Sequence, residues 1–158
     1  LPISGIPIGS PVCARVTCPF QVTASRVNQA ELVLTSRASA LAFQPSDTTR
    51  MDVRAVLVPD LLPKAPLGPA LAGVLGQEMP PEYFSTAPGE RILLPITSFF
   101  QSLLQGETSE EGLPPTMLAL LSLFEPASLG FLSFEGSGSE NAPMLRLVLT
   151  ISGTVELP

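Results

Sequence analysis

Cys13 and Cys18 are the only thiols in this chain of 158 residues. Four residues lie between them. In one unbroken strand they would point to opposite faces, ~16 Å apart, too far to bond. A turn or bulge would bring them within reach, and an oxidising compartment would favour the disulfide. The other reading is two small buried apolar side chains. Zinc is not expected, because two thiolates without histidine need two further carboxylates or thiolates.

The other reactive groups are sparse. Ser137 and Ser139 sit in Gly-Ser-Gly-Ser-Glu, without the strand-to-helix turn of a nucleophile elbow and with no histidine to activate them. Lys64 is the lone ammonium, and no Ser-x-x-Lys pattern accompanies it. Glu107, Glu110 and Glu111 form an acidic run whose spacing matches no calcium loop, so they read as a solvated face. Carboxylate pairs of the glycosidase kind need only two acids. The chain has no Trp and one Tyr, however, which leaves little to stack a sugar on. No catalytic residue, cofactor or metal is therefore expected.

Composition excludes more. The absence of histidine removes imidazole acid–base chemistry and histidine metal sites. A net charge of −6 argues against nucleic acid and anionic membranes as partners, because both need a basic surface. Charged residues make up only 14% of the chain, and mean hydropathy is +0.38. Ordinary soluble domains carry about 25% charged residues. Such an exterior is neutral and partly apolar, which is the character of surfaces covered by other protein. The longest apolar run, residues 117–124, is far short of the ~20 needed to span a bilayer as a helix.

The elements that would position these residues read mostly as strands. Residues 1–12 form an extended arm broken by Pro2, Pro7 and Pro11, with Ile3, Ile6 and Ile8 left to be covered. Residues 13–158 form one domain. Residues 15–25 alternate apolar and polar as a half-buried strand does, with Pro19 marking an edge or bulge. Residues 30–35 and 38–43 read as two more strands. Residues 51–58 form another, with Met51, Val53, Ala55 and Leu57 on one face and Asp52 and Arg54 on the other.

The middle is Pro-rich. Residues 59–69 read as an irregular connector, and 70–76 as a short helix weakened by Gly73. Residues 92–97 read as a strand. Thr97 or Ser98 would cap a helix carrying Phe99, Phe100, Leu103 and Leu104, stopped by Gly106. Pro115 would open a second helix over 117–124, apolar nearly all round. Residues 130–135 read as a strand, 136–141 as a hairpin loop, and 144–157 as a long alternating strand.

The expected class is all-β, an antiparallel sandwich or jelly roll of about seven or eight strands with two or three short helical insertions. The expected role is a structural subunit that self-associates into a capsid shell, surface layer or filament. Its location would be extracellular, at the cell surface or in a virion. Its partners would be copies of itself or other subunits. The arm residues Ile3, Ile6 and Ile8 and the helix residues Phe99 and Phe100 are the expected interface. The alternative is a secreted sandwich carrying an apolar small molecule or lipid in a pocket lined by 99–104 and 117–124.

Overall fold

The computed structural model describes residues 11–14, 21–40, 44–106, 116–123 and 131–150. They form an all-β sandwich of eight strands in two antiparallel sheets, with one α-helix and a few 3₁₀ turns.

The first sheet is built on β1 (Val27–Arg37). Its even residues face the core: Ala30 and Leu34 are buried, and Leu32 packs beside them. Val27 also points inward, because an irregularity between Val27 and Gln29 shifts the phase by one residue. β5 (Arg91–Pro95) lies along one side of β1, with Val33 opposite Leu93. Along the other side run β7 (Ser133–Phe134) and β8 (Met144–Leu149), both antiparallel to β1. β7 pairs with Ser36 and Arg37, and β8 with residues from Val33 back to Val27. The two are thus one strand path in the same direction, interrupted by an excursion. Residues 136–141 are not the expected hairpin loop: a hairpin would reverse the chain, and here it does not.

The second sheet repeats this plan on β2 (Thr49–Val56). β6 (Met117–Ser122) covers one side. β3 (Leu67–Ala70) and β4 (Gln77–Met79) follow one another along the other side, both antiparallel to β2. The excursion between them turns on Gly73 and Gly76, at φ +79° and +63°. Pro69 sits in β3, a lane whose pairing among the described residues is with β2 alone, as suits an edge.

The sheets enclose one core. Val27, Ala30, Leu34, Ile92 and Leu94 come from the first sheet, and Met51, Val53 and Met79 from the second. Phe84 closes it and meets Phe134 edge-on, with ring centroids 5.6 Å apart. The helix α1 (Thr97–Gln105) packs on β1 and on the 3₁₀ turn Ala24–Arg26. Gly106 ends it in the left-handed conformation, as expected. Its first turn has no side-chain cap. Thr97 bonds instead to Ala30 of β1.

Several expected elements differ. The helix expected over 117–124 is not found: Met117–Ser122 is a strand on β2, and Phe124 lies outside the described residues. A run that is apolar but for Ser122 carries no period to separate helix from strand, and the open side of β2 supplies a ladder for it. Residues 70–76 are likewise not helical, since Ala70 ends β3 and the glycines turn the chain. Of residues 15–25, the described part is coil and a 3₁₀ turn, with Arg26 N–H bonding the Thr23 carbonyl. Residues 38–40 lie outside any strand, and 15–20, 41–43 and 151–157 lie outside the described residues. Among the described residues the helical insertions are one α-helix and short 3₁₀ turns. No helix among the described residues is long and apolar enough to cross a membrane.

Candidate functional site

The outer face of the first sheet carries a buried carboxylate, Glu31, among charged neighbours. Strand alternation sends Glu31, Val33 and Thr35 of β1 outward, opposite the core-facing even residues. Register then sets their neighbours. Pro95 and Arg146 flank Glu31. Leu93 and Met144 flank Val33. Arg91 flanks Thr35, whose carbonyl accepts the Glu135 amide on the far side. The middle row is apolar and the rows beside it are charged.

Val33 is the floor of a shallow depression of about 440 Å³, with Leu93, Met144, Arg91 and Arg146 among its walls. The walls stand in solvent, with Leu93 at 38% and Met144 at 44% exposure. The floor does not: Val33 is 5% exposed.

Glu31 is the unusual group. A buried carboxylate is costly unless both oxygens are bonded. Gln29 Nε2 donates to its Oε1 at 2.6 Å. Arg146 Nη1 lies 3.3 Å from Oε2, near enough for ionic attraction. It is not aligned as a hydrogen bond, and among the described residues Oε2 has no hydrogen-bond partner. That oxygen is enclosed, and the Arg146 guanidinium is the charge that balances it.

The second sheet holds a contrasting case. Asp52 is fully buried. Its Oδ2 accepts from Arg54 Nε at 2.6 Å and its Oδ1 from the Val53 amide at 2.8 Å. Residues two apart on a strand share a face, so β2 itself brings the pair together. Both Asp52 oxygens accept hydrogen bonds. Arg50 pairs similarly with Glu78 on the neighbouring strand β4.

The residues singled out in the sequence fall elsewhere. Phe99 and Phe100, expected at an interface, are buried in their own chain at 9% and 2% exposure. The apolar face of α1 is turned to β1, so it serves the core. Residues 117–122 lie on β2 in the other sheet. Ile3, Ile6 and Ile8 lie outside the described residues, as do Glu107, Glu110 and Glu111. Cys13 is disulfide-bonded, and Cys18 lies outside the described residues. Ser137 and Ser139 sit on the excursion between β7 and β8, where the Ser139 hydroxyl bonds the Gly136 carbonyl. Among the described residues no cluster of three His, Cys, Asp or Glu is placed to hold a metal ion.

Sequence reasoning passed over Glu31 and Arg146. Glu31 stands at an outward position of a strand, where a charge usually meets water. Only the register of β8, more than a hundred residues away, sets Arg146 beside it. Comparison with family models, curated proteins and solved structures finds no match to this chain.

Proposed function

We propose that this chain is a structural subunit, a β-sandwich that self-associates into a larger assembly such as a capsid shell, a surface layer or a filament. It works by contact and carries out no chemistry of its own. It acts at a cell surface, in a virion or outside the cell, with copies of itself or sister subunits as partners.

The observation that supports this is the apolar exterior. Val74 and Leu75, at the turn between β3 and β4, are 91% and 64% exposed. Leu61 and Leu62 are 55% and 53% exposed after β2. Leu93, Met144 and Val148 stand out from the first sheet. Scattered single apolar residues are normal on any surface, but grouped ones on a chain with few charges favour protein contact. Size-exclusion chromatography with light scattering tests the reading. A mass that rises with concentration is expected, and a dispersed monomer at millimolar concentration would overturn it.

A second reading has one observation in its favour. A depression of about 420 Å³ opens between the sheets beside β6 and β7, lined by Met51, Leu120, Leu121, Phe131, Leu132 and Phe134. A lipid or other apolar small molecule fits such a lining. Native mass spectrometry of gently purified protein distinguishes the two, because a carrier retains added mass.

A further inference from the structure

We infer that the outer face of the first sheet binds a small monocarboxylate with an apolar body. Arg91, with Arg37 beside it, takes the carboxylate, and Val33, Leu93 and Met144 hold the body. This goes beyond the self-association proposed above and does not depend on it.

Three arginines of the described strands have an acid of their own. Arg50 pairs with Glu78, Arg54 with Asp52 and Arg146 with Glu31. Arg37 and Arg91 differ: both are exposed, and among the described residues no acid lies within ion-pair distance of either. Register brings the two together. Arg91 lies opposite Thr35, and Arg37 stands two residues further along β1 on the same face. Such diagonal neighbours are ~7–8 Å apart, within reach of two long side chains. Unbalanced guanidiniums at that spacing repel each other, and an oxyanion between them removes the repulsion while accepting their forked N–H donors. Glu135, whose amide bonds Thr35 from the other flank, pairs with neither.

The neighbouring row sets the rest of the ligand. Leu93, Val33 and Met144 lie side by side, ~7 Å along the strands from Arg91. Val33 is the buried floor of the depression of about 440 Å³, and Arg91, Leu93 and Met144 are among its walls. Small-molecule pockets run ~300–1,000 Å³. The free charge and the apolar floor are one row apart. A ligand engages both only if its body extends several carbon atoms from the carboxylate. Arg146 closes the far end with its charge already balanced by Glu31, so it adds a wall and calls for no second anion.

The local field agrees. The chain as a whole carries −6. The outward positions of these rows hold Arg37, Arg91 and Arg146 against Glu31 and Glu135, which leaves this face net positive. An anion repelled by the rest of the molecule is attracted here.

Amide NMR of the isotope-labelled full chain, titrated with decanoate, tests the inference. Saturable shifts are expected at Arg91, Val33, Leu93 and Met144. Acetate, which lacks the body, and decyltrimethylammonium, which reverses the charge, should each bind roughly tenfold or more weakly. Arg91→Gln should weaken decanoate by roughly tenfold with unchanged circular dichroism, and Arg91→Lys should weaken it less. Arg37→Gln carries the same test should Arg91→Gln fail to fold. If the shifts gather around Leu120 and Phe134 instead, the depression between the sheets is the site and this inference falls. It falls equally if decyltrimethylammonium binds as well as decanoate, if Arg91→Gln leaves the affinity unchanged, or if millimolar decanoate moves no amide.

Discussion

The Thr97 hydroxyl oxygen lies 3.0 Å from the Ala30 amide nitrogen and accepts its proton. Ile96 N–H meanwhile donates to the Ala30 carbonyl at 2.9 Å. A side chain thus continues the β1–β5 ladder where the backbone of β5 turns into α1. Ala30 is fully buried, so its N–H has no water to fall back on. Thr97→Val keeps the shape and removes the acceptor. It should cost about 1–3 kcal/mol in urea unfolding, while Thr97→Ser should cost far less.

Gly76 and Gly73 should respond differently to alanine. Both have positive φ. At Gly76 a Cβ would meet the Met51 carbonyl oxygen at 2.6 Å, which is backbone and cannot yield cheaply. At Gly73 it would meet nothing within 4 Å. Gly73→Ala should therefore cost only the left-handed backbone term, about 1–2 kcal/mol. Gly76→Ala should cost clearly more. Thermal unfolding of the two variants side by side checks the order.

The buried carboxylate Asp52 should be sensitive to its partner. Arg54→Met leaves the charge enclosed with one oxygen unanswered, whereas Arg54→Lys retains a cation. Breaking a buried pair costs about 3–5 kcal/mol. The Arg54 side chain is 35% exposed, so water takes up part of that loss and a value below the range is expected. Denaturant midpoints of the two variants, compared at one pH, decide it.

Phe100 should matter for folding rather than for contact between copies. It is 2% exposed within the core. Phe100→Ala should lower stability by about 3–5 kcal/mol. The folded fraction of that variant should associate as the wild type does. Sedimentation under strongly native conditions checks this.

The excursion between β7 and β8 should tolerate length. A Gly/Ser insertion at Gly138 that roughly doubles it should cost about 0.6 kcal/mol, because closure entropy grows slowly. Pairing of both strands with β1 should persist, and amide exchange at Val33 and Thr35 should remain slow.

Much of this fold can be read from the residues. The alternation around Met51, Val53 and Ala55 finds β2, the Phe99–Leu104 pattern with Gly106 finds α1, and Ile92 and Leu94 mark β5. Three features could not be read locally. Residues 117–122 have no period, and only the unpaired side of β2 decides their state. Val27 and Ala30 point the same way because of an irregularity that no residue type announces. Asp52 and Glu31 occupy outward strand positions, where alternation predicts solvent, yet flanking strands enclose both. Of the candidate surface, Met144, Arg146 and Val148 appear in the sequence as one alternating stretch. That they border Val33 and Glu31 depends on a pairing between strands more than a hundred residues apart, and spacing does not reveal it.

That distant pairing has a consequence for synthesis. Asn28 Nδ2 donates to Thr150 Oγ1 across a separation of 122 residues. While the ribosome is still translating, β1 has β5 on one flank and nothing on the other. The nascent molecule must wait for β8, more than a hundred residues later, before that flank closes. Contacts so far apart in sequence form slowly, and an open strand edge invites misplaced pairing in the interval. Production of this protein should therefore respond strongly to chaperones and to growth temperature.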